Sequence, residues 1–384
     1  MDEQAPVERL DGNCFSRGEL LRRTAGVGLG LTALGGLGVL GAEPALGKGL
    51  DKVTFLSPLA TLETMSFYDI VVANQLGYFK NLGLEVPMLP GTGGTNATLG
   101  ISQHQADLGW PAPPIITYSI DQGVPVKSIW QSCTQQVFGF ALPLKSKITK
   151  VSQLGHKTIG LHNEVDYVVT NPLLYAQGVD PKTVKYLTFG ELWPQATALG
   201  QCDAALCWEG ERGLLIGQHI PLKYLRGSDF SNTPSNSYAV RTSDLKDPHK
   251  RDVYKRFLMG VVMGNEFALA NMRAAAQITY DSRPALQSLL SPQGAMEAMA
   301  EQASSYQKVK GLWGWADIVA WQQYLDIIYK LKQTKHHFKT SDILTNEFVV
   351  GVNKAANVTK PRRDAKAFKL DKYFAVTTIP NYKY

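Results

Sequence analysis

The residues best placed to meet a small ligand are loop residues that follow apolar, strand-like runs. In the first half of the chain these are Thr61, the turn Gly91-Thr92-Gly93-Gly94-Thr95, Pro111-Ala112 and Gln135. Glycine lets backbone N–H groups approach a ligand closely, and a helix N-terminus favours an anion or an acceptor. Gly93, Gly94 and Thr95 are therefore expected to bind such a group. In the second half the candidates are Asn163, Asp166, Glu191, Trp193, Trp208 and Glu209. An indole face suits a flat or cationic group. Either tryptophan could equally be core or lid, and an acidic loop residue could be plain solvated surface. Apart from Arg212, these loops carry no Lys or Arg. They lean toward a neutral or cationic nitrogen compound, such as a heterocycle or an amine. A small oxyanion, held by amides and hydroxyls, is the alternative.

Bond-making chemistry finds little support. Cys133, at a strand end, is the one candidate nucleophile, and no spacing brings His104, His156 or His162 to it. No H-E-x-x-H spacing occurs, His336-His337 fall in the C-terminal tail, and there is no Walker A motif. No catalytic residue, metal site or cofactor is expected. Cys202 and Cys207 are expected on one strand with opposite facing, so free buried thiols rather than a disulfide are predicted.

The elements that position these loops alternate between strand and helix. Residues 53–56, 84–88, 107–110 and 126–130 read as strands, with helices at 65–76 and after the glycine turn. Pro87 argues for a strand end or edge. A second unit repeats the alternation, with strands at 157–161, 184–189, 203–208 and 222–225. The runs 137–142 and 238–241 read as extended crossings between the two units. Helices follow at 251–272, 273–281, 292–302 and 316–332, and 335–384 reads as a basic, irregular tail. Parallel strands joined by helices collect ligands beyond their carboxyl ends. Two such lobes on two crossings form a hinge.

With 384 residues, 44% of them hydrophobic and 19% charged, the chain is globular and long enough for two domains. Its 39 Lys and Arg against 33 Asp and Glu are spread along the chain, which gives no reason to expect a nucleic-acid partner. Arg22-Arg23 precede an uncharged, glycine-rich apolar run that ends near Ala45-Leu46-Gly47. Residues 1–47 thus read as an export signal whose paired arginines suggest the twin-arginine type, and it carries Cys14 away with it. The protein is expected in the periplasm, or tethered to the membrane if the signal stays uncleaved.

Several stretches go together. In the first unit they are Ala73-Asn74-Gln75-Leu76-Gly77-Tyr78-Phe79 with Gly83-Leu84-Glu85-Val86, the turn at 91–95, and Gln105-Ala106-Asp107-Leu108-Gly109. In the second unit they are Leu154-Gly155-His156-Lys157-Thr158-Ile159-Gly160, Gly178-Val179-Asp180-Pro181 and Gly200-Gln201-Cys202-Asp203-Ala204-Ala205. With these stretches the chain resembles the periplasmic solute-binding proteins of ABC importers, in the group that includes thiamine-pyrimidine-precursor, nitrate, alkanesulfonate and taurine binders, so a sulfonate, taurine or nitrate is the alternative solute that the resemblance implies. The resemblance implies an α/β, periplasmic binding protein type II-like fold with the ligand cleft between two hinged lobes. On the expected boundaries, lobe 1 is 51–142 plus 236–334, lobe 2 is 143–235, and the tail 335–384 packs on lobe 1 or is partly disordered. The resemblance also implies a monomer that delivers its solute to a membrane permease and its ATPase. Desulfinases and thiamine-pyrimidine synthases on the same architecture are the enzymatic alternative.

Overall fold

Short runs of apolar, β-branched and aromatic residues assemble into two five-stranded sheets in the computed structural model, which describes residues 49–380. The expected export signal lies outside the described residues. The first sheet contains β1 (Phe55–Leu56), β2 (Met88–Leu89), β3 (Leu108–Gly109), β4 (Val126–Gln131) and, much later in the chain, β10 (Ser237–Arg241). Its order is β2-β1-β3-β10-β4. The second contains β5 (Phe138–Pro143), β6 (Thr158–Leu161), β7 (Lys185–Thr188), β8 (Ala204–Trp208) and β9 (Leu222–Leu225), in the order β9-β5-β8-β6-β7.

One pattern is used twice. β1 pairs in parallel with β2 and β3, β6 does so with β7 and β8, and β10 or β5 inserts antiparallel beside the third strand. An aspartate fixes each copy. Asp107 Oδ2 accepts the Thr54 N–H at 2.9 Å, and Asp203 Oδ2 accepts the Thr158 N–H at 2.9 Å. Each carboxylate ties the start of the third strand to the start of the first. That is the physical reason for the recurring Gln-x-Asp at 105–107 and 201–203.

The chain passes between the sheets at 132–137 and 231–236, and side chains hold both passages. Gln131 Nε2 donates to the carbonyls of Cys133 at 2.8 Å and Ser235 at 2.6 Å. Ser132 Oγ donates to the Asn236 carbonyl at 2.9 Å, and Asn236 Nδ2 to the Trp110 carbonyl at 3.0 Å. The runs 137–142 and 238–241 are therefore not the crossings. Almost all of the first, from Phe138 on, is β5 of the second sheet, and the second is β10 of the first. An apolar run is extended in either role, so its pattern does not separate a sheet strand from a connecting one.

The main helices are α1 (Tyr68–Gln75), α2 (Gly94–Ser102), α3 (Pro113–Asp121), α4 (Tyr167–Ala176), α5 (Glu209–Gly217), α6 (Pro248–Ala270), α7 (Met272–Asp281), α8 (Pro292–Ser304) and α9 (Ile318–Lys330). Asp247 caps α6, accepting the N–H groups of His249 at 2.8 Å and Lys250 at 3.3 Å. The tail is not irregular. It forms helices at Thr340–Ile343, Val349–Ala355 and Thr359–Ala367. Arg362 pairs with buried Glu266 at 2.6 Å, Arg251 with Glu347 at 3.0 Å, and Val349, Val352, Ala365 and Phe374 join the largest core cluster. These apolar contacts are few and set among charges, which hid the helical period in the sequence. No helix of the described residues is long and apolar enough to cross a membrane.

Candidate ligand-binding site

The first-lobe candidates offer backbone rather than side chains. Gly93 caps α2 at φ 112° and ψ 160°, a conformation open to glycine, and no side chain caps that helix. Its own N–H is spent on the Pro58 carbonyl at 3.0 Å. The N–H groups of Gly94, Thr95 and Asn96 open the helix and have no intrahelical carbonyl to meet. Pro111-Ala112 differ from that expectation. Ala112 caps α3, but Pro113 and Pro114 carry no N–H, and the Ile115 N–H turns back to the Ala112 carbonyl at 3.0 Å. The start of α3 is thus a poor donor, and the Pro111 carbonyl is taken by the Ser237 N–H at 3.3 Å. Thr61 is exposed and accepts from the Glu63 N–H at 3.0 Å. Gln135 lies in the first passage, its N–H on the Ser305 carbonyl at 3.3 Å.

In the second lobe the tryptophans converge on a residue that was not singled out from the sequence. Trp193 Nε1 donates to Glu211 Oε1 at 3.1 Å, and the Trp208 indole lies near enough to act on the same carboxylate. Trp193 is not a loop contact. It is 1% exposed in a cluster with Cys202, Cys207, Leu215 and Leu222, so it braces Glu211 from inside the lobe. Both cysteines are free and share that cluster, rather than facing apart. Trp208 is half-buried against the first-lobe core, and a Cβ on Gly210 would come within 2.3 Å of Ser66 Oγ. The start of α5 therefore touches the first lobe at its 61–66 loop.

Glu209 is a second correction. It is buried and paired with Arg212 at 2.6 Å and Arg226 at 3.5 Å. Arg212 also pairs with fully buried Glu301 of α8, and Arg226 Nη2 donates to Ser304 at 3.1 Å. The charge of Glu209 is consumed inside the protein. Helical spacing carries the signal that separates the two glutamates. Arg212 lies three residues after Glu209 and shares its face, which leaves Glu211 on another.

Around this face, His162 Nε2 meets Glu191 Oε1 at 2.8 Å, and Asn163 Nδ2 meets His162 Nδ1 at 2.7 Å. Asp166 accepts the Asn163 N–H at 2.8 Å, and burial pushes its carboxyl above the ordinary range. The exposed residues here are acidic and amphipathic. Cys133 is fully buried, burial pushes its thiol up, and its sulfur accepts from Ser305 Oγ at 3.7 Å and Gln302 Nε2 at 3.8 Å. That is the setting of a packed thiol, not of an activated nucleophile. No group of His, Cys, Asp or Glu among the described residues forms a metal site.

Burial raises the Glu211 carboxyl from 4.5 to about 7, with the hydrogen bonds of Trp193 opposing. An acid with a raised folded pKa stabilises the fold relative to its ionised form only while protonated. Its contribution is full below the unfolded value and is lost as pH rises through the folded one. Buried Asp69, raised to about 6, acts in the same direction. Stability measured by urea midpoint should fall between about pH 5 and 7.5, and E211Q should remove part of that fall. An E211Q profile parallel to the parent's would contradict the assignment.

Two α/β sheets of one repeated order, joined by two passages, define the periplasmic binding protein fold. The chain belongs to the NMT1/THI5-like family, whose model matches residues 64–275. Among solved structures it is similar to the alkanesulfonate-binding protein SsuA of Xanthomonas axonopodis pv. citri bound to MOPS. The identity is 14%, the match covers 78% of this chain and 99% of that one, and the TM-score is 0.60. The periplasmic aliphatic sulphonate binding protein SsuA of Escherichia coli matches at 12% identity, with 77% and 92% coverage and a TM-score of 0.56. A mutant of DSZB in complex with biphenyl-2-sulfinic acid matches at 13%, with 79% and 98% coverage and a TM-score of 0.51. No curated protein matches the chain in sequence.

Proposed function

We propose that this chain is the extracytoplasmic solute-binding component of an ABC importer rather than an enzyme. It captures a small organic solute between its lobes and passes it to a membrane permease. The solute carries an acidic head, of which a sulfonate is the leading case, and a nitrogen-bearing end. The observation that carries this reading is the pairing of two chemistries at strand ends. An uncapped helix start follows β2, and an indole-flanked glutamate follows β8. The first suits an oxyanion, and the second suits an amine or a polarised ring. SsuA bound to MOPS is consistent with it, since MOPS carries both a sulfonate and a tertiary amine. A purely anionic solute would face Glu191, Asp166 and Glu211, while the one arginine of these loops, Arg212, is engaged with Glu209 and Glu301.

Calorimetric titration tests this with MOPS, a plain alkanesulfonate and a plain alkylamine. MOPS-like zwitterions should bind best. The affinity for MOPS should rise from about pH 6 as Glu211 ionises and fall again toward pH 8 as the morpholine nitrogen itself loses its proton and its attraction to the carboxylate. E211Q should abolish that rise. Equal binding of the plain sulfonate, insensitive to E211Q, would remove the nitrogen-bearing half of the reading. Binding of none of the three would remove the solute class.

A further inference from the structure

The basic run at 360–372 is a presented surface, not a loose tail. The helix Thr359–Ala367 lies on α6 with Pro361 and Ala365 buried beneath it, and Asn271 Nδ2 donates to the Ala365 carbonyl at 3.0 Å. Arg362, Arg363 and Lys366 share the opposite, exposed face. Residues 360–372 hold six Lys or Arg against Asp364 and Asp371. Both acids are engaged. Asp364 accepts from Tyr78 Oη at 3.1 Å and pairs with Lys360 at 2.5 Å. Asp371 Oδ1 accepts the N–H groups of Tyr373 at 2.8 Å and Phe374 at 2.7 Å. Arg362 is paired with Glu266, and Arg363 lies 3.9 Å from Asp364. Lys366, Lys369 and Lys372 are exposed and form no ion pair among the described residues.

Apolar side chains stand beside these lysines in a segment that is firmly held. Phe374 is buried against Tyr280, with ring centres 5.5 Å apart. Beyond it, Arg273 Nε donates to the Thr377 carbonyl at 2.9 Å, and the Thr378 N–H donates to Gln293 Oε1 at 2.8 Å. This anchoring holds Tyr373 and Val376 outward, 59% and 80% exposed, and Val376 is the most exposed large apolar side chain among the described residues. Folding gains nothing from fixing a valine in water, whereas covering it with an apolar phase does. The free cations are all lysines. Lysine is a compact point charge without the planar fork by which arginine grips one phosphate or carboxylate at two points. Three of them suit a broad field of negative charge better than one shaped anion. An anionic bilayer supplies that field above an apolar layer, which matches both halves of the surface.

We infer that residues 366–376 form a docking surface for an anionic membrane, with Lys366, Lys369 and Lys372 on the lipid headgroups and Tyr373 and Val376 at the acyl boundary. The surface is separate from the Glu211 face and stands whatever solute binds there. Contact of this kind keeps the protein beside the bilayer, and each lysine near the headgroups adds about fivefold to vesicle affinity at low salt.

Vesicle flotation provides the test, on the full chain and on residues 49–384, which form a compact unit of their own. The shorter form removes any contribution from the apolar run at 24–42. It should float with vesicles containing phosphatidylglycerol, stay behind with pure phosphatidylcholine, and be released by about 0.5 M salt. K366E/K369E/K372E should weaken its binding on the order of 100-fold, and Y373S/V376S by about threefold or more. All five side chains are exposed, so the melting temperature should hold, which separates loss of the surface from loss of the fold. K147E/K185E/K246E makes the same change in net charge at exposed sites elsewhere and should cost far less. Equal loss in that control, undiminished binding by K366E/K369E/K372E, or no flotation of residues 49–384 would overturn the inference. So would retention on a single-stranded oligonucleotide as tight as on the vesicles, which would assign the lysines to nucleic acid.

Discussion

Replacing Arg212 with methionine should destabilise the protein by about 3–5 kcal/mol, the largest loss expected from a single side chain here. Its guanidinium lies between Glu209 and Glu301, which are 3% and 0% exposed. Methionine preserves the stem and the packing on Tyr224, whose ring centre lies 5.6 Å from the guanidinium carbon. What it removes is the counter-charge of two desolvated carboxylates. Arg226 pairs with Glu209, at 3.5 Å. The cost comes from ions left behind rather than from the attraction lost, and that makes a second outcome predictable. R212M/E301M, which removes the guanidinium together with the fully buried Glu301 carboxylate and leaves Glu209 paired with Arg226, should recover much of the deficit, because buried ion pairs are often replaceable by apolar groups of similar volume. Urea midpoints followed by tryptophan fluorescence and circular dichroism measure both. An R212M midpoint equal to the parent's would show that water, not protein, solvates these groups.

That network also shows where the sequence was legible and where it was not. The strand cores at 55–56 and 108–109, the glycine turn and the doubled Gln-x-Asp can be read locally, because each depends on neighbours a few residues away, whereas the single strand expected at 84–88 is two, Leu84–Glu85 beside Asp51–Lys52 and Met88–Leu89 beside Phe55–Leu56. The partner of Arg212 cannot, since Glu301 is almost ninety positions distant and lies on a helix with its own apolar period. The tryptophans divide in the same way. Both end near a strand terminus, yet Trp193 turns inward among Cys202, Leu215 and Leu222, while Trp208 reaches the other lobe. Side-chain direction at a strand end is decided by the tertiary partner, so residue type alone could not rank them. Glu211 was missed for a related reason. Proximity to the strand pointed to Glu209, and only the helical phase that pairs Glu209 with Arg212 exposes the alternative.

Gly213→Val is expected to lose both stability and solute binding. α5 meets α8 along a stripe of small residues, so closely that a Cβ at 213 would lie 2.6 Å from the Ala298 Cα and 2.9 Å from its carbonyl oxygen. A Cβ at 217 would meet the Gly294 carbonyl oxygen at 3.0 Å. These are backbone atoms, which no rotamer change can move aside. Valine must therefore drive the helices apart, at a cost of ~3 kcal/mol or more when a tight contact is overpacked. Because the clash is with backbone, trimming the neighbour with A298G should not rescue it. Gly155→Ala is the matching control, since the nearest atoms to its Cβ lie at 3.9 Å, and it should change stability by no more than ~0.5 kcal/mol. The functional half follows from connectivity. α5 starts at Glu209, one residue after Trp208, so displacing it from α8 swings Glu211 and the indole that flanks it together. Solute affinity should then drop in the fraction that remains folded, as read by titration at a temperature well below the variant's Tm. A G213V protein of parental affinity would separate the α5–α8 contact from the binding face, and would place the solute elsewhere along the seam.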